Sequence, residues 1–242
     1  MKRILLTGAN RGLGLEFTRQ FAARGDRVFA AARHPEKADA LQKLADAHPD
    51  NITLVKLEVT DPASRDAAYA QIAEQTDALD LLLNNAGIFN KFKSNFGSGG
   101  TDPKFGELTA ENLAAVYDVN AVAPVMMAQR FVDLLSNGKR PVIANMSSLL
   151  GSIGLKSVGG YYAYSAAKAA LNMYTRLLAH DLAGHGITVV SLHPGWVQTD
   201  MGGPRAPVKP ADSIGGLIRV LDGVTRKQSG KFFTYEGDEM EW

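Results

Sequence analysis

Short apolar runs alternate with longer amphipathic stretches along this chain. Arg3 to Thr7 is such a run, closed by Gly8, and reads as a buried strand. Beyond Gly12, Leu13, Phe17 and Phe21 recur on one helical face until Gly25 stops the helix. A second strand follows at Val28 to Ala32, and a second helix at Glu36 to Ala47. Ile52 to Leu57 makes a third strand, Pro62 opens a helix to about Ala73, and Asp80 to Leu83 makes a fourth strand. Thr109 caps a long helical segment to about Leu135. Val142 to Ala144 and Ile187 to Leu192 are further strands, separated by the helix that carries Tyr164. Strands and helices alternating at this spacing predict an α/β fold, a parallel sheet of about seven strands with helices on both faces. No repeat or linker interrupts the pattern, so residues 1–242 read as a single domain. The Gly-, Ser- and Asn-rich part of residues 88–106 reads as a surface loop, placed after a strand's carboxyl end where it can border a site.

Composition narrows the classes of function. At 242 residues, 45% hydrophobic and 21% charged, the chain can bury one sizeable core. The 26 Lys+Arg against 25 Asp+Glu leave a net charge of +1, so there is no electrostatic case for a nucleic-acid partner. With no cysteine, disulfides, thiolate nucleophiles and cysteine-ligated metals are excluded. Met1-Lys2-Arg3 leads straight into Ile4-Leu5-Leu6, too short for a signal peptide's apolar region, and no run approaches a membrane span. The expectation is a cytoplasmic protein with no membrane partner. The five histidines, His193 included, lack ligand-like spacing, so they read as structural or surface residues and no metal site is expected.

Two stretches carry chemistry. Thr7-Gly8-Ala9-Asn10-Arg11-Gly12-Leu13-Gly14 joins the first strand to the first helix. Glycine lets the backbone come close to a ligand, and a helix N-terminus points N–H groups at an anion, so this loop reads as a pyrophosphate cradle. Its spacing is Gly-x-x-x-Gly-x-Gly, unlike the Gly-x-Gly-x-x-Gly of the usual dinucleotide fingerprint. The second stretch, Tyr164-Ser165-Ala166-Ala167-Lys168, lies in an Ala-rich run of good helix formers. Helical spacing sets its phenol beside its ammonium. A lysine cation about 5 Å away, at an effective dielectric of about 20, contributes roughly 3 kcal/mol toward tyrosinate, or about two pKa units. None of the other tyrosines has a lysine four residues on.

The glycine loop, Asn84-Asn85-Ala86-Gly87 and Tyr164-x-x-x-Lys168, in this order, resemble the short-chain dehydrogenases/reductases over Thr7 to at least Asp200. His193-Pro194-Gly195-Trp196-Val197-Gln198-Thr199-Asp200-Met201-Gly202-Gly203 and the terminal aromatic segment resemble, more narrowly, the carbonyl-reductase-like branch that includes the sniffer and C-factor proteins. The resemblance implies a single-domain Rossmann-type doubly wound sheet. It implies NADP(H) as cofactor, because Ala32 stands where NAD-specific members usually carry Asp, while Arg33 and Arg11 match basic positions for the 2′-phosphate. Gly8, Asn10, Arg11, Gly12, Leu13 and Gly14 form the phosphate loop of this likeness. Glu58 and Val59 occupy the adenine-contacting place, Glu58 being one methylene longer than the usual Asp. Asn85, Ala86 and Gly87 frame the adenosine side and support the sheet. Pro194 and Gly195 turn the chain over the nicotinamide, and Val197 and Thr199 match the carboxamide positions.

The same resemblance implies that Tyr164 gives the proton, that Lys168 binds the nicotinamide ribose and lowers the phenol pKa, and that Ser148 hydrogen-bonds the carbonyl. Sixteen positions separate Ser148 from Tyr164, a few more than in most of the family. A small glycine-rich insertion accounts for this, and Ser147 stands as the alternative. Asn120 matches the family asparagine that holds a water linking the lysine to solvent. A short substrate loop, about 197–210, implies an open pocket. The implied activity is NADPH-dependent reduction of a ketone, aldehyde or quinone, by a homo-oligomer (dimer or tetramer). The alternatives are an NADP(H)-binding sensor or signalling protein with little turnover, and an NAD-linked alcohol dehydrogenase, against which Ala32 and Arg33 argue.

Overall fold

A computed structural model of the chain describes residues 1–90 and 103–242. Of the loop read at 88–106, residues 91–102 lie outside the described residues. The strands are β1 (Arg3–Thr7), β2 (Arg27–Ala32), β3 (Ile52–Lys56), β4 (Leu81–Asn84), β5 (Val142–Met146), β6 (Thr188–His193) and β7 (Lys231–Thr234). All pair in parallel, in the order β3-β2-β1-β4-β5-β6-β7. The helices are α1 (Gly12–Ala23), α2 (Asp39–Ala47), α3 (Pro62–Ala73), α4 (Ala110–Tyr117), α5 (Ala123–Ser136), α6 (Tyr162–Asp181) and α7 (Pro210–Gly223). This is the doubly wound, Rossmann-type single-domain arrangement that the resemblance implies, with the parallel sheet that the pattern predicts.

Successive strand residues point to opposite faces, so the apolar runs feed two cores. Ile4, Leu6, Val28 and Ala30 meet Phe17 and Phe21 of α1, Leu41 of α2, and Ile214 and Leu217 of α7. Leu5, Phe29, Val55 and Leu82 meet Ile72 of α3 and Met127 and Phe131 of α5 on the other face. Fully burying one such leucine or phenylalanine contributes about 1.5–3 kcal/mol. The order of strand addition reverses between β1 and β4, which opens a crevice at the carboxyl ends of those strands.

Two elements differ from the sequence expectation. The helix read from Glu36 begins as a 3-10 turn, Pro35–Lys37, and α2 starts only at Asp39. The segment capped by Thr109, whose hydroxyl accepts the Asn112 N–H at 3.2 Å, is not one helix. A π-helical turn, Asp118–Val122, separates α4 from α5. Pro124 explains it: proline has no N–H for the carbonyl four residues back, here Asn120, and its ring crowds that carbonyl, so the helix widens. No helix among the described residues is long and apolar enough to cross a membrane.

Candidate active site

A cleft of about 800 Å³ opens at the carboxyl ends of the strands. It takes in the glycine loop, the ends of β2 and β4, the start of α6 and the segment after β6. This volume falls in the range of small-molecule and cofactor sites. Among the described residues, no three His, Cys, Asp or Glu side chains gather as a metal site.

At one end the backbone is shaped for an anion. Gly8 has φ +69°, and a Cβ there would lie 2.9 Å from the Ala86 Cα. Helix α1 begins after Arg11 with no side-chain cap, and its first backbone bond is from Leu15 N–H to the Arg11 carbonyl at 3.2 Å. The N–H groups of Gly12, Leu13 and Gly14 are thereby left for a ligand. Asn85 is spent on holding this loop: its Nδ2 donates to the carbonyls of Thr7 and Gly8 at 2.9 and 3.2 Å. Thr7 Oγ1 accepts the N–H groups of Asn85 and Ala86, both at 3.0 Å. These residues fit a dinucleotide's pyrophosphate.

Arg11 and Arg33 both reach the cleft, yet each already faces a carboxylate. Arg11 donates to Asp200 at 3.1 Å, bridging the glycine loop to the segment after β6. Arg33 stands 3.7 Å from Glu58. The Glu58 carboxylate also accepts the Thr60 hydroxyl at 3.0 Å. Val59 lines the cleft beside it.

At the other end of the cleft, Tyr164, Ser148 and Lys168 come together. Ser148 ends the extended stretch after β5; its Oγ accepts the Leu150 N–H at 3.2 Å and is hydrogen-bonded to the Tyr164 phenol. Lys168 is buried, and its Nζ donates to the Met146 carbonyl at 2.7 Å and lies 5.5 Å from the centre of the Tyr164 ring. Ser147 is buried with its hydroxyl unpartnered, and its N–H donates to the Leu192 carbonyl at 2.8 Å. The sequence expectation of a phenol made more acidic by the lysine is overturned in the ligand-free protein. Burial pushes Tyr164 up to about 12, opposed by the bond to Ser148. Burial also pulls Lys168 down to about 7. In both cases the loss of water around the group, which disfavours its charged form, is the leading cause.

Asn120, fully buried on the π turn, clasps the backbone of Ile88. A Cβ at Gly87 would stand 3.1 Å from Asn120 Oδ1, a tight contact, and 3.8 Å from Lys168 Nζ, so the three lie close together. Gly195 has φ +82° and abuts the Tyr235 ring. Val197 forms a parallel bridge to Val208, and the Thr199 hydroxyl accepts the Gly202 N–H at 3.1 Å. The 197–210 segment is therefore a compact turn beside Pro194. The extra residues between Ser148 and Tyr164 include a 3-10 turn, Leu149–Gly151, and Gly154 donates to the Trp242 carbonyl at 2.9 Å.

Several wall residues were given no role at the site in the sequence reading. Phe89 packs on the rings of Tyr164 and Tyr161 at 5.0 and 5.8 Å. Tyr161 holds φ 58°, an unusual backbone state for a bulky residue and one that recurs at functional sites. Trp196, half exposed, lines the mouth. His193, set aside in the sequence reading, also lines the cleft, and its Nδ1 accepts the Leu149 N–H at 3.3 Å. Burial pulls its pKa down to about 4.

Comparison with known proteins agrees with this geometry. The family model described as short chain dehydrogenase matches residues 2–209. The C-signal of Myxococcus xanthus is 38% identical over 167 residues, which cover 69% of this chain and 95% of that protein. The NADPH-bound carbonyl reductase from chicken fatty liver has a TM-score of 0.90 and 39% identity, covering 100% of this chain and 99% of its own. The carbonyl reductase Sniffer of D. melanogaster has a TM-score of 0.89 and 34% identity, covering 100% of both chains.

Proposed function

The chain belongs to the short-chain dehydrogenase family, and from that premise we propose that it is an NADP(H)-dependent carbonyl reductase acting on a ketone, aldehyde or quinone. The reading rests chiefly on a phenol held protonated, with a serine hydroxyl bonded to it, inside a cleft that starts at an uncapped helix N-terminus. The N–H groups of Gly12, Leu13 and Gly14 would hold the pyrophosphate, with Gly8 and Asn10 shaping the loop. Arg11 and Arg33 would hold the 2′-phosphate, while Glu58, Val59, Asn85, Ala86 and Gly87 frame the adenosine side. Pro194, Gly195, Val197 and Thr199 would border the nicotinamide. When bound, the dinucleotide supplies the hydride.

Ser148 donates to the carbonyl oxygen, and Tyr164 gives its proton to the alkoxide as charge develops there. A phenol near 12 stays protonated across the neutral range, yet it remains a stronger acid than an alcohol, so an alkoxide can take its proton. This state suits reduction, since oxidation asks for the phenolate. Lys168 binds the ribose side and keeps a mobile proton beside Tyr164, and Asn120 fixes the backbone next to it.

The test is oxidation of NADPH and NADH by the pure protein against quinones, aldehydes and ketones. NADPH-selective turnover supports the proposal. Tight NADPH binding with no turnover on any carbonyl favours the signalling alternative instead.

A further inference from the structure

The proposed reaction uses Ser148 and Tyr164 at the reacting oxygen and leaves a third polar group on the same wall without a task. His193 ends β6, adjacent in the sheet to β5, whose chain continues into Ser147 and Ser148. Its Nδ1 accepts the Leu149 N–H, so the ring is fixed and its proton sits on Nε2. That Nε2 has no hydrogen-bond partner among the described residues, and it is not among their buried unpartnered atoms. The ring lines the cleft together with Ser148, Leu149, Tyr164 and Trp196.

We propose that His193 is a specificity-determining residue whose Nε2–H donates to a second oxygen acceptor on the substrate, so that the site favours carbonyl compounds bearing such an oxygen a few bonds from the carbonyl reduced, such as dicarbonyls and keto esters. A neutral imidazole is a donor at one nitrogen and an acceptor at the other. Here the backbone of Leu149 takes the acceptor and leaves the donor to the cleft. Burial keeps the ring neutral through the physiological range, so this donor is constant and carries no charge. The site's polar groups then differ in role: Ser148 and Tyr164 serve the oxygen that gains charge, and His193 serves one that does not.

This inference rests on the carbonyl-reductase reading, and its test separates the two. A diketone and the monoketone of the same skeleton are compared with the wild type, His193→Leu and His193→Gln. Glutamine carries an amide acceptor and donor at a spacing similar to that of the imidazole nitrogens, so it can keep both bonds. Equilibrium binding is read by tryptophan fluorescence in the NADP⁺-loaded protein, and turnover is read with NADPH. His193→Leu is expected to weaken diketone binding about tenfold relative to the monoketone, the worth of one hydrogen bond, through KM more than kcat. His193→Gln is expected to restore most of that preference. Equal losses on both ketones, an unchanged binding ratio, or no binding of either compound by the wild type would overturn the role of His193. Absence of turnover alongside a shifted binding ratio would instead remove the reductase reading and leave the His193 donor in place.

Discussion

Asn120 holds both backbone groups of Ile88: its Nδ2 donates to the Ile88 carbonyl at 2.7 Å and its Oδ1 accepts the Ile88 N–H at 2.9 Å. The π turn brings this side chain to the end of β4, where it ties the Asn84-to-Gly87 stretch to the helix layer. Asn120→Leu would leave the part-buried N–H and C=O of Ile88 without their partner, at about 1–2 kcal/mol each. The expected loss is roughly 2–4 kcal/mol of unfolding free energy, read as a lower urea midpoint with an unchanged slope. A variant as stable as the wild type would show that the clasp contributes nothing to the fold.

Buried Lys168 and half-buried Tyr164 are expected to give the ligand-free protein a distinctive pH profile. Burial lowers Lys168 from 10.5 to about 7, so between those values the unfolded chain binds a proton that the folded chain has released. Stability therefore rises with pH through that window, by on the order of 3–5 kcal/mol from this group. Tyr164 acts in the opposite sense: raised from 10.0 to about 12, it keeps its proton in the folded state after the unfolded chain has lost it. Its contribution is full below pH 10 and is lost between 10 and 12. Urea unfolding across this range should show Lys168→Met losing the rise and Tyr164→Phe losing the fall. A wild-type profile that declines between pH 7 and 10 would mean that Lys168 stays charged in the folded protein.

Tyr164→Phe removes one oxygen and leaves the ring packed on Phe89. NADPH affinity should stay within about threefold, since less than one hydrogen bond is at stake. Turnover should fall by about 10²- to 10⁴-fold, the usual worth of a positioned proton donor. Fluorescence titration and steady-state rates read the two effects separately, and undiminished turnover would end the assignment of Tyr164 as donor.

Much of this site could be read from local spacing. The glycine loop and Tyr164-x-x-x-Lys168 are each written within a few residues, because a turn before a helix and a pair on one helical face have a fixed period. The parallel sheet with helices on both faces followed from the alternation of short apolar runs with helical stretches. The π turn at Asn120 was hidden because a single widened turn leaves the apolar pattern almost intact, although Pro124 four residues on was its visible cause. His193 gains its place only when β6 settles beside β5, and the Leu149 N–H it bonds is 44 residues away. The Tyr164 shift was misread for the same reason: charge pairing follows from spacing, but burial by Phe89 and the cleft walls does not.

On the proposed reading, Arg11 and Arg33 would carry the preference between the two nicotinamide cofactors, and the carboxylates facing them would set its size. If the pair contributes roughly 2–3 kcal/mol toward a 2′-phosphate, the double variant Arg11→Ala/Arg33→Ala should lose about 30- to 150-fold of NADPH affinity relative to NADH. Asp200 competes with that phosphate for Arg11, to which it is paired at 3.1 Å. Asp200→Asn should therefore tighten NADPH binding several-fold and leave NADH unchanged, because only the phosphorylated cofactor feels the freed guanidinium. Both side chains of the pair are half exposed, so added salt should weaken NADPH binding more than NADH binding and shrink the gain from Asp200→Asn. Titration of the three proteins, wild type included, with both cofactors at low and high salt reads all of this. Equal effects of Asp200→Asn on NADPH and NADH would place Arg11 away from the 2′-phosphate and leave Arg33 as the one residue of the pair that discriminates.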